Sequence, residues 1–457
     1  MPTISRTLAE WASGLRYEDI SAEAVDAAKR FLYDSIGCAL GGVQRKDCGI
    51  AAKMIDLYGG APQATMIGSG KKTNVDYATL YNALAVRAMD FNDIYWKQDP
   101  CHPSDVIPAA TTVAEWKGLS GKEMIVGIII AYEIEMRLCE AAFPGIRERG
   151  WHHATLTGFT SPLVAGRLLN LNPDKMQHAL GIGSCHSFTL GCAVAGKLSM
   201  MKNTVSPMAT QAGVTAAILA DKGYTGPEGV IDGKEGMVHC LGPEWKLNIL
   251  TDGLSKSWRI LECGMKAFPV EALIHAPLTA TFKLLRENNL KADDVKEIRI
   301  ESIARAADIL SDPSKYEPKN KETADHSLPY CITSAMVYNQ VSPRQFEQDA
   351  IDDPRIMANI RKVKVTARPD FEKLFPAQQA NHVTVVTNAG ASHELRVNFP
   401  KGDPRDPMTL AEISEKFNAL AAPIMTEKRR QEIYDAIDNL DKLNNSADFM
   451  ALCVQDK

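Results

Sequence analysis

A change of hydrophobic period near Phe268-Pro269 constrains this chain more than any other feature. Before it, apolar residues recur at helical spacing. Val25, Ala28, Phe31, Leu32 and Ile36 follow Ser21, a candidate N-cap, in that pattern. Further helices are expected over Tyr77–Met89, Ser104–Trp116, Asn172–Leu180 and Thr210–Lys222, with Gly37, Gly41 and Gly42 punctuating the end of the first. Beyond the change one helix is expected over His275–Asn288, and alternation with period two takes over. It runs through Val295–Glu301, Lys362–Ala367, His382–Thr387 and His393–Val397, with a hairpin turn at Asn388-Ala389-Gly390. After Pro400–Pro404 a charged, amphipathic helical pattern returns from Thr409 to Cys453. A mainly α protein follows. Its large all-helical domain is built from both chain ends, 1–265 and 402–457, and a smaller α+β lid domain, 266–401, is inserted between them.

Charge and cysteine usage narrow the function. With 51 basic and 56 acidic residues in 457, the chain carries no global positive signal for nucleic acid. The most apolar run, Met124–Tyr132, ends at Glu133 and Glu135, well short of the roughly 20 residues of a membrane span. A buried helix is expected there, with no membrane partner. Ten cysteines occur without any Cys-x-x-Cys pair, which points to reduced thiols in the cytoplasm or an organelle matrix. The N-terminus lacks the apolar core of a secretory signal.

Five segments concentrate polar groups between apolar ones: Asp90–Asp105, Gly150–Thr155, Leu198–Thr204, Trp258–His275 and Asp325–Tyr330. In the first, Asp90 and Asp93 are three apart and would share a face if the helix continued. His102 follows, and a carboxylate beside an imidazole tunes a proton acceptor near neutral pH. His152 and His153 are adjacent beside Trp151, and Lys202 ends an apolar run. Familiar cofactor and hydrolase motifs are missing. Gly181-Ile182-Gly183 lacks the third glycine of a dinucleotide fingerprint, and there is no phosphate loop, Gly-x-Ser-x-Gly or His-Glu-x-x-His.

In ordered sequence these segments resemble the family of 2-methylcitrate dehydratase and cis-aconitate decarboxylase, MmgE/PrpD. The resemblance rests on Asp90-Phe91-Asn92-Asp93 with His102-Pro103-Ser104-Asp105, Gly150-Trp151-His152, Met201-Lys202, Gly213 through Gly226-Pro227, Lys266–Pro269 with His275, Asp325–Tyr330 and Gly402-Asp403-Pro404. It implies a site between a helical domain and its lid, no metal or organic cofactor, a small polycarboxylate substrate and a homodimer. It implies His102, Asp90, Asp93, His152 and His275 as catalytic groups, and Lys202, Lys266, Arg259 and His153 as substrate-binding groups. The expected reaction is dehydration of a 2-methylcitrate-like hydroxy acid. The alternatives are decarboxylation of cis-aconitate, epimerisation of an iminodisuccinate-type compound, or carboxylate binding without turnover. Two departures bear on the substrate: Ile94 stands where the family often has threonine, and Asn203–Pro207 replaces a basic, histidine-containing stretch.

Overall fold

The computed structural model describes residues 2–195, 198–242 and 244–457. At its centre lies helix Gly121–Ala141, buried on all sides and capped by Ser120, whose side chain accepts from the Glu123 N–H. A helix whose apolar run Met124–Ala131 covers its whole circumference must sit inside other helices, and its buried Glu133 and Arg137 pair with each other. Here helices Ile107–Lys117 and Ala154–Leu168 pack against it. No helix among the described residues is long and apolar enough to cross a membrane.

Helix Ala22–Gly42 runs through the glycines expected to end it. They are packing devices. A Cβ at Gly37 would lie 2.9 Å from Phe417 Cδ2, and one at Gly42 only 1.9 Å from the Ala85 carbonyl oxygen. Their absent side chains let helix Val75–Arg87 and helix Leu410–Ala421 approach closely. The C-terminal segment thereby joins the same hydrophobic core as the N-terminal helices, through Ile413, Phe417, Ile433, Ile437 and Phe449.

A second core gathers residues 270–385 with Trp96. Its sheet orders strands Ser392–Val397, Asn381–Thr387, Val295–Ser302 and Val363–Ala367; the first two pairings are antiparallel and the last is parallel. Val383 and Val385 alternate inward, as period two requires. Helices His275–Glu287 and Leu328–Tyr338 supply Leu278, Phe282, Leu328 and Ile332 to this core. The hairpin closes where Gly390, at φ +86°, donates its N–H to the Thr387 carbonyl.

One small sheet was not expected. Strand Asp93–Trp96 pairs with Pro100–Cys101 on one edge and with Gly264–Met265 on the other. Ile94 lies opposite Gly264, so the chain segment entering the second core is stitched directly to the acidic segment.

Candidate active site

The acidic segment begins where helix Val75–Arg87 stops. Asp90 has φ +52°, a left-handed conformation that aspartate tolerates better than most residues. This reverses the chain and sends Asp93 into a strand, so the two carboxylates do not share a helical face as expected. Asp90 enters a cluster of cations. Arg87 pairs with it, Lys266 Nζ lies 2.8 Å from Oδ1, and Lys202 Nζ lies 3.4 Å from Oδ2. The small sheet brings Lys266 here, and its ammonium also donates to the Val270 carbonyl at 2.9 Å. Burial alone would raise the Asp90 pKa; Lys202, Lys266 and Arg87 outweigh it and hold the carboxylate well below its usual range.

Asp93 faces away from this cluster. It accepts from Ser104, N–H at 3.0 Å and Oγ–H at 2.6 Å, and so caps the turn Pro103–Val106. Its backbone carbonyl, rather than its carboxylate, orients His102 through Nδ1 at 2.6 Å. A carbonyl can only accept, so Nδ1 carries the proton and Nε2 keeps a lone pair. Burial, then Arg87 and Lys266, push the His102 pKa well down, so the resting ring is neutral.

His152 has the opposite tautomer. Its Nδ1 accepts from the Ala154 N–H at 3.0 Å, leaving Nε2–H as a donor. Nε2 of His152 and of His153 are buried with no hydrogen-bond partner among the described residues. An unmet buried polar atom costs about 1–3 kcal/mol, and a ligand in the cavity these rings line can satisfy both. The ring centroids of His102 and His153 are 5.4 Å apart, and those of His152 and His153 are 3.9 Å apart. Burial lowers the His152 pKa to about 3.

These groups line one cavity of about 530 Å³ between the two cores. Asp90, His102, His152, His153, Lys202 and Lys266 all reach it. Asp93 does not; it lies one layer behind. His275 and Arg259 do not reach it either. His275 sits at the start of its helix, Nε2 3.4 Å from the Val270 carbonyl, and lines a separate cleft of about 280 Å³. Arg259 binds Glu140 at 2.9 Å while its N–H donates to Glu133 at 2.8 Å, which fastens the Arg259–Glu262 turn onto the central helix. Residues 203–207 lie outside the cavity wall, whereas Ile94 is in it. Asn203 instead donates to Asp47 at 3.0 Å. A cleft of about 580 Å³ between helix Ala22–Gly42 and residues 402–438 contains no histidine.

The charged and imidazole wall residues not named as site residues from the sequence include Arg87, Arg147, Glu148 and Arg305, and also Glu271 and His326, which lie within two of the polar segments. His326 pairs Nδ1 with Asp325 Oδ1 at 2.6 Å, and Asp325 also meets Lys202 at 3.4 Å and Lys321 at 2.8 Å. Burial and Lys202 lower the His326 pKa to about 4 against the pull of Asp325. The Asp-His adjacency was visible as a polar cluster, but nothing in it indicated where the ring would point. Arg147 lies over the Trp96 ring, 5.6 Å from its centroid, on a turn held by Asp99, which accepts from the Ile146 and Arg147 N–H groups at 2.7 and 3.2 Å. Arg305 pairs with Glu148 across the two cores. No group of three or more His, Cys, Asp or Glu side chains among the described residues is placed to hold a metal ion.

Taken together, the cavity offers cations in excess of the carboxylates they pair with, a neutral imidazole with a free lone pair, and an unmet imidazole N–H. Such a set can bind an anion, accept a proton from carbon and stabilise the charge left behind. Residues 6–250 match the MmgE/PrpD N-terminal domain and residues 268–442 match the MmgE/PrpD C-terminal domain. A cis-aconitate decarboxylase-like protein from Aspergillus oryzae is 26% identical, over 98% of this chain and 97% of its own. Human cis-aconitate decarboxylase is 23% identical over 97% and 93%. The mitochondrial 2-methylcitrate dehydratase of Yarrowia lipolytica is 24% identical over 84% and 78%.

Proposed function

The chain belongs to the MmgE/PrpD family, and on that premise we propose a cofactor-independent lyase that dehydrates a 2-methylcitrate-like hydroxy tricarboxylate. One observation carries this reading. Arg87, Lys202 and Lys266 converge on Asp90 at a cavity floor shared with His102; Lys202 also meets Asp325, and Arg87 meets Asp105 behind the floor. Three buried cations at one cavity floor suit a substrate with several carboxylates.

His102 Nε2 takes the proton from the carbon beside a carboxylate. Lys202 and Lys266 hold the enolate-like charge that grows there; one such donor is worth about 2.7–4 kcal/mol of barrier. The carbon–oxygen bond on the neighbouring carbon then breaks, and the proton held by His102 passes to the departing hydroxyl, so water leaves and an alkene remains. His152 Nε2–H supplies a hydrogen bond to a carboxylate or to that hydroxyl. The low resting pKa of His102 suits the task, because a bound polyanion raises it and the base strengthens only when substrate is present. On this reading the unit of residues 266–401 is an insertion that covers the cavity.

The test is incubation of the purified protein with citrate and 2-methylcitrate while following conjugated-alkene absorbance. No absorbance from any hydroxy tricarboxylate would reject dehydration. A second reading, decarboxylation of cis-aconitate, has support from relatives of that name that align with 97–98% of this chain. Carbon dioxide release from cis-aconitate, measured in the same preparation, separates the two.

A further inference from the structure

The proposed chemistry uses one side of the cavity and leaves the other unexplained. Arg87, Lys202, Lys266, His102, His152 and His153 approach from the helical side. The facing wall is mainly the surface of the second hydrophobic core. Trp96, Leu273 and Leu310 belong to that core and line the cavity, and Ile94 packs against the core and lines the cavity too. Glu271, Arg305 and His326 are the polar members of this wall, and Arg147 lies over the Trp96 ring.

Strand Asp93–Trp96 explains the division. Successive side chains on a strand point to opposite faces. Tyr95 enters the helical core and Asp93 caps the turn behind it, while Ile94 and Trp96 face the cavity. Trp96 is backed by an edge contact with Phe375, ring centroids 5.3 Å apart. Carboxylates gain nothing from the apolar stretch of this wall, Ile94, Leu273 and Leu310, because a charge buried against apolar groups loses its hydration without return. The cavity, at about 530 Å³, also has the size that accommodates ligands larger than a bare tricarboxylate, within the roughly 300–1,000 Å³ of drug-sized sites.

We infer that the substrate is a tricarboxylate carrying an apolar chain of several carbons, with its carboxylates on the cationic floor and its chain against Ile94, Trp96, Leu273 and Leu310. This rests on the polycarboxylate reading above and adds the apolar half of the ligand. Each methylene moved from water onto that wall tightens binding about fourfold.

The experiment uses tricarballylate and its 2-alkyl derivatives from methyl to hexyl, which lack the hydroxyl and cannot dehydrate. Calorimetric Kd values on the full-length protein are expected to fall about fourfold per methylene over the first few. Ile94→Thr keeps the β-branched strand residue and is expected to flatten that slope. Ile309→Gln at the cavity rim is the second variant if the first fails to fold. Flat or rising Kd values along the wild-type series would overturn the inference. Parallel turnover of 2-alkylcitrates keeps the two readings apart. A binding ladder without turnover sinks the lyase and leaves the apolar subsite standing. Turnover of 2-methylcitrate without a ladder does the reverse, and failure of every homologue to bind overturns both.

Discussion

Asp90 and Asp93 are three residues apart and equally buried, yet they belong to different layers of the protein. Asp90, on the cavity floor, is surrounded by Arg87, Lys202 and Lys266 and stays ionised far below its usual range. Asp93, in the layer behind, meets no full positive charge among the described residues; it meets the N–H and hydroxyl of Ser104, the Tyr132 hydroxyl and the Cys263 thiol, and burial lifts its pKa to about 6. Asp105, beside it, is lifted to about 7 by burial despite Arg87 at 3.7 Å. Burial pushes all three carboxylates up, and only at Asp90, where three cations converge, does full positive charge outweigh it. The front layer concentrates charge that a ligand can use, and the back layer holds acids that burial makes harder to ionise than Asp90.

Removing a front-layer cation is the harshest test of that contrast. Lys202→Ala takes an ammonium from both Asp90 and Asp325. We expect kcat/KM on the best tricarboxylate to fall by about 10²–10³, with a stability loss of about 3–5 kcal/mol from the carboxylates left under-paired. Steady-state rates and urea denaturation measure the two. Full activity in this variant would remove Lys202 from the site. Next in size is His102→Gln, which keeps a donor toward the Asp93 carbonyl but has no basic lone pair. A loss of about 10² in kcat with little change in melting temperature is expected, because the base is lost and the hydrogen bond is kept.

The front layer was partly legible in the sequence. His102, His152, His153 and Lys202 stand in polar clusters between apolar runs, and residue type alone marks such places. The long helices and the four strands of the second sheet were legible because their periods repeat often enough to be seen. Three things were hidden for physical reasons. The pairing of Ile94 with Gly264 uses strands of four and two residues, too short to show a period, yet it delivers Lys266 to Asp90. The left-handed Asp90 breaks the helix that the preceding alanines and leucines predict. Gly37 and Gly42 read locally as stops, whereas their purpose is set by Phe417 and Ala85, distant in sequence. Tertiary contact overrides local propensity in all three.

The back layer makes a prediction of opposite sign to the front. Asp93 has a folded pKa of about 6 against 3.8 for the free side chain, so the native state binds more protons between those values. Its stabilising contribution is present below about pH 4 and is lost as the pH rises through 6, about 2–3 kcal/mol in all. Asp90, with a lowered pKa, contributes above pH 4 and loses that contribution as the pH falls. Asp93→Asn, denatured in urea at pH 4.5 and pH 7.0, should show less of the loss between those two pH values than the wild type. An unchanged pH slope would mean that Asp93 is ionised in the fold and that the contrast between layers is wrong.

The smallest expected effect sharpens where the front layer ends. His275 was expected among the catalytic groups, but it opens onto a different cleft and its Nε2 is turned to the Val270 carbonyl. That carbonyl also accepts from Lys266 Nζ, so His275 touches the site only through a shared acceptor. His275→Gln can keep a donor toward Val270, and we expect kcat/KM to change by less than about threefold, since one neutral hydrogen bond nets about 1 kcal/mol even when lost outright. A loss comparable to that of His102→Gln would show that the cleft beyond Lys266 opens to substrate during turnover. The site would then extend past Ile94 to the second face of the small sheet.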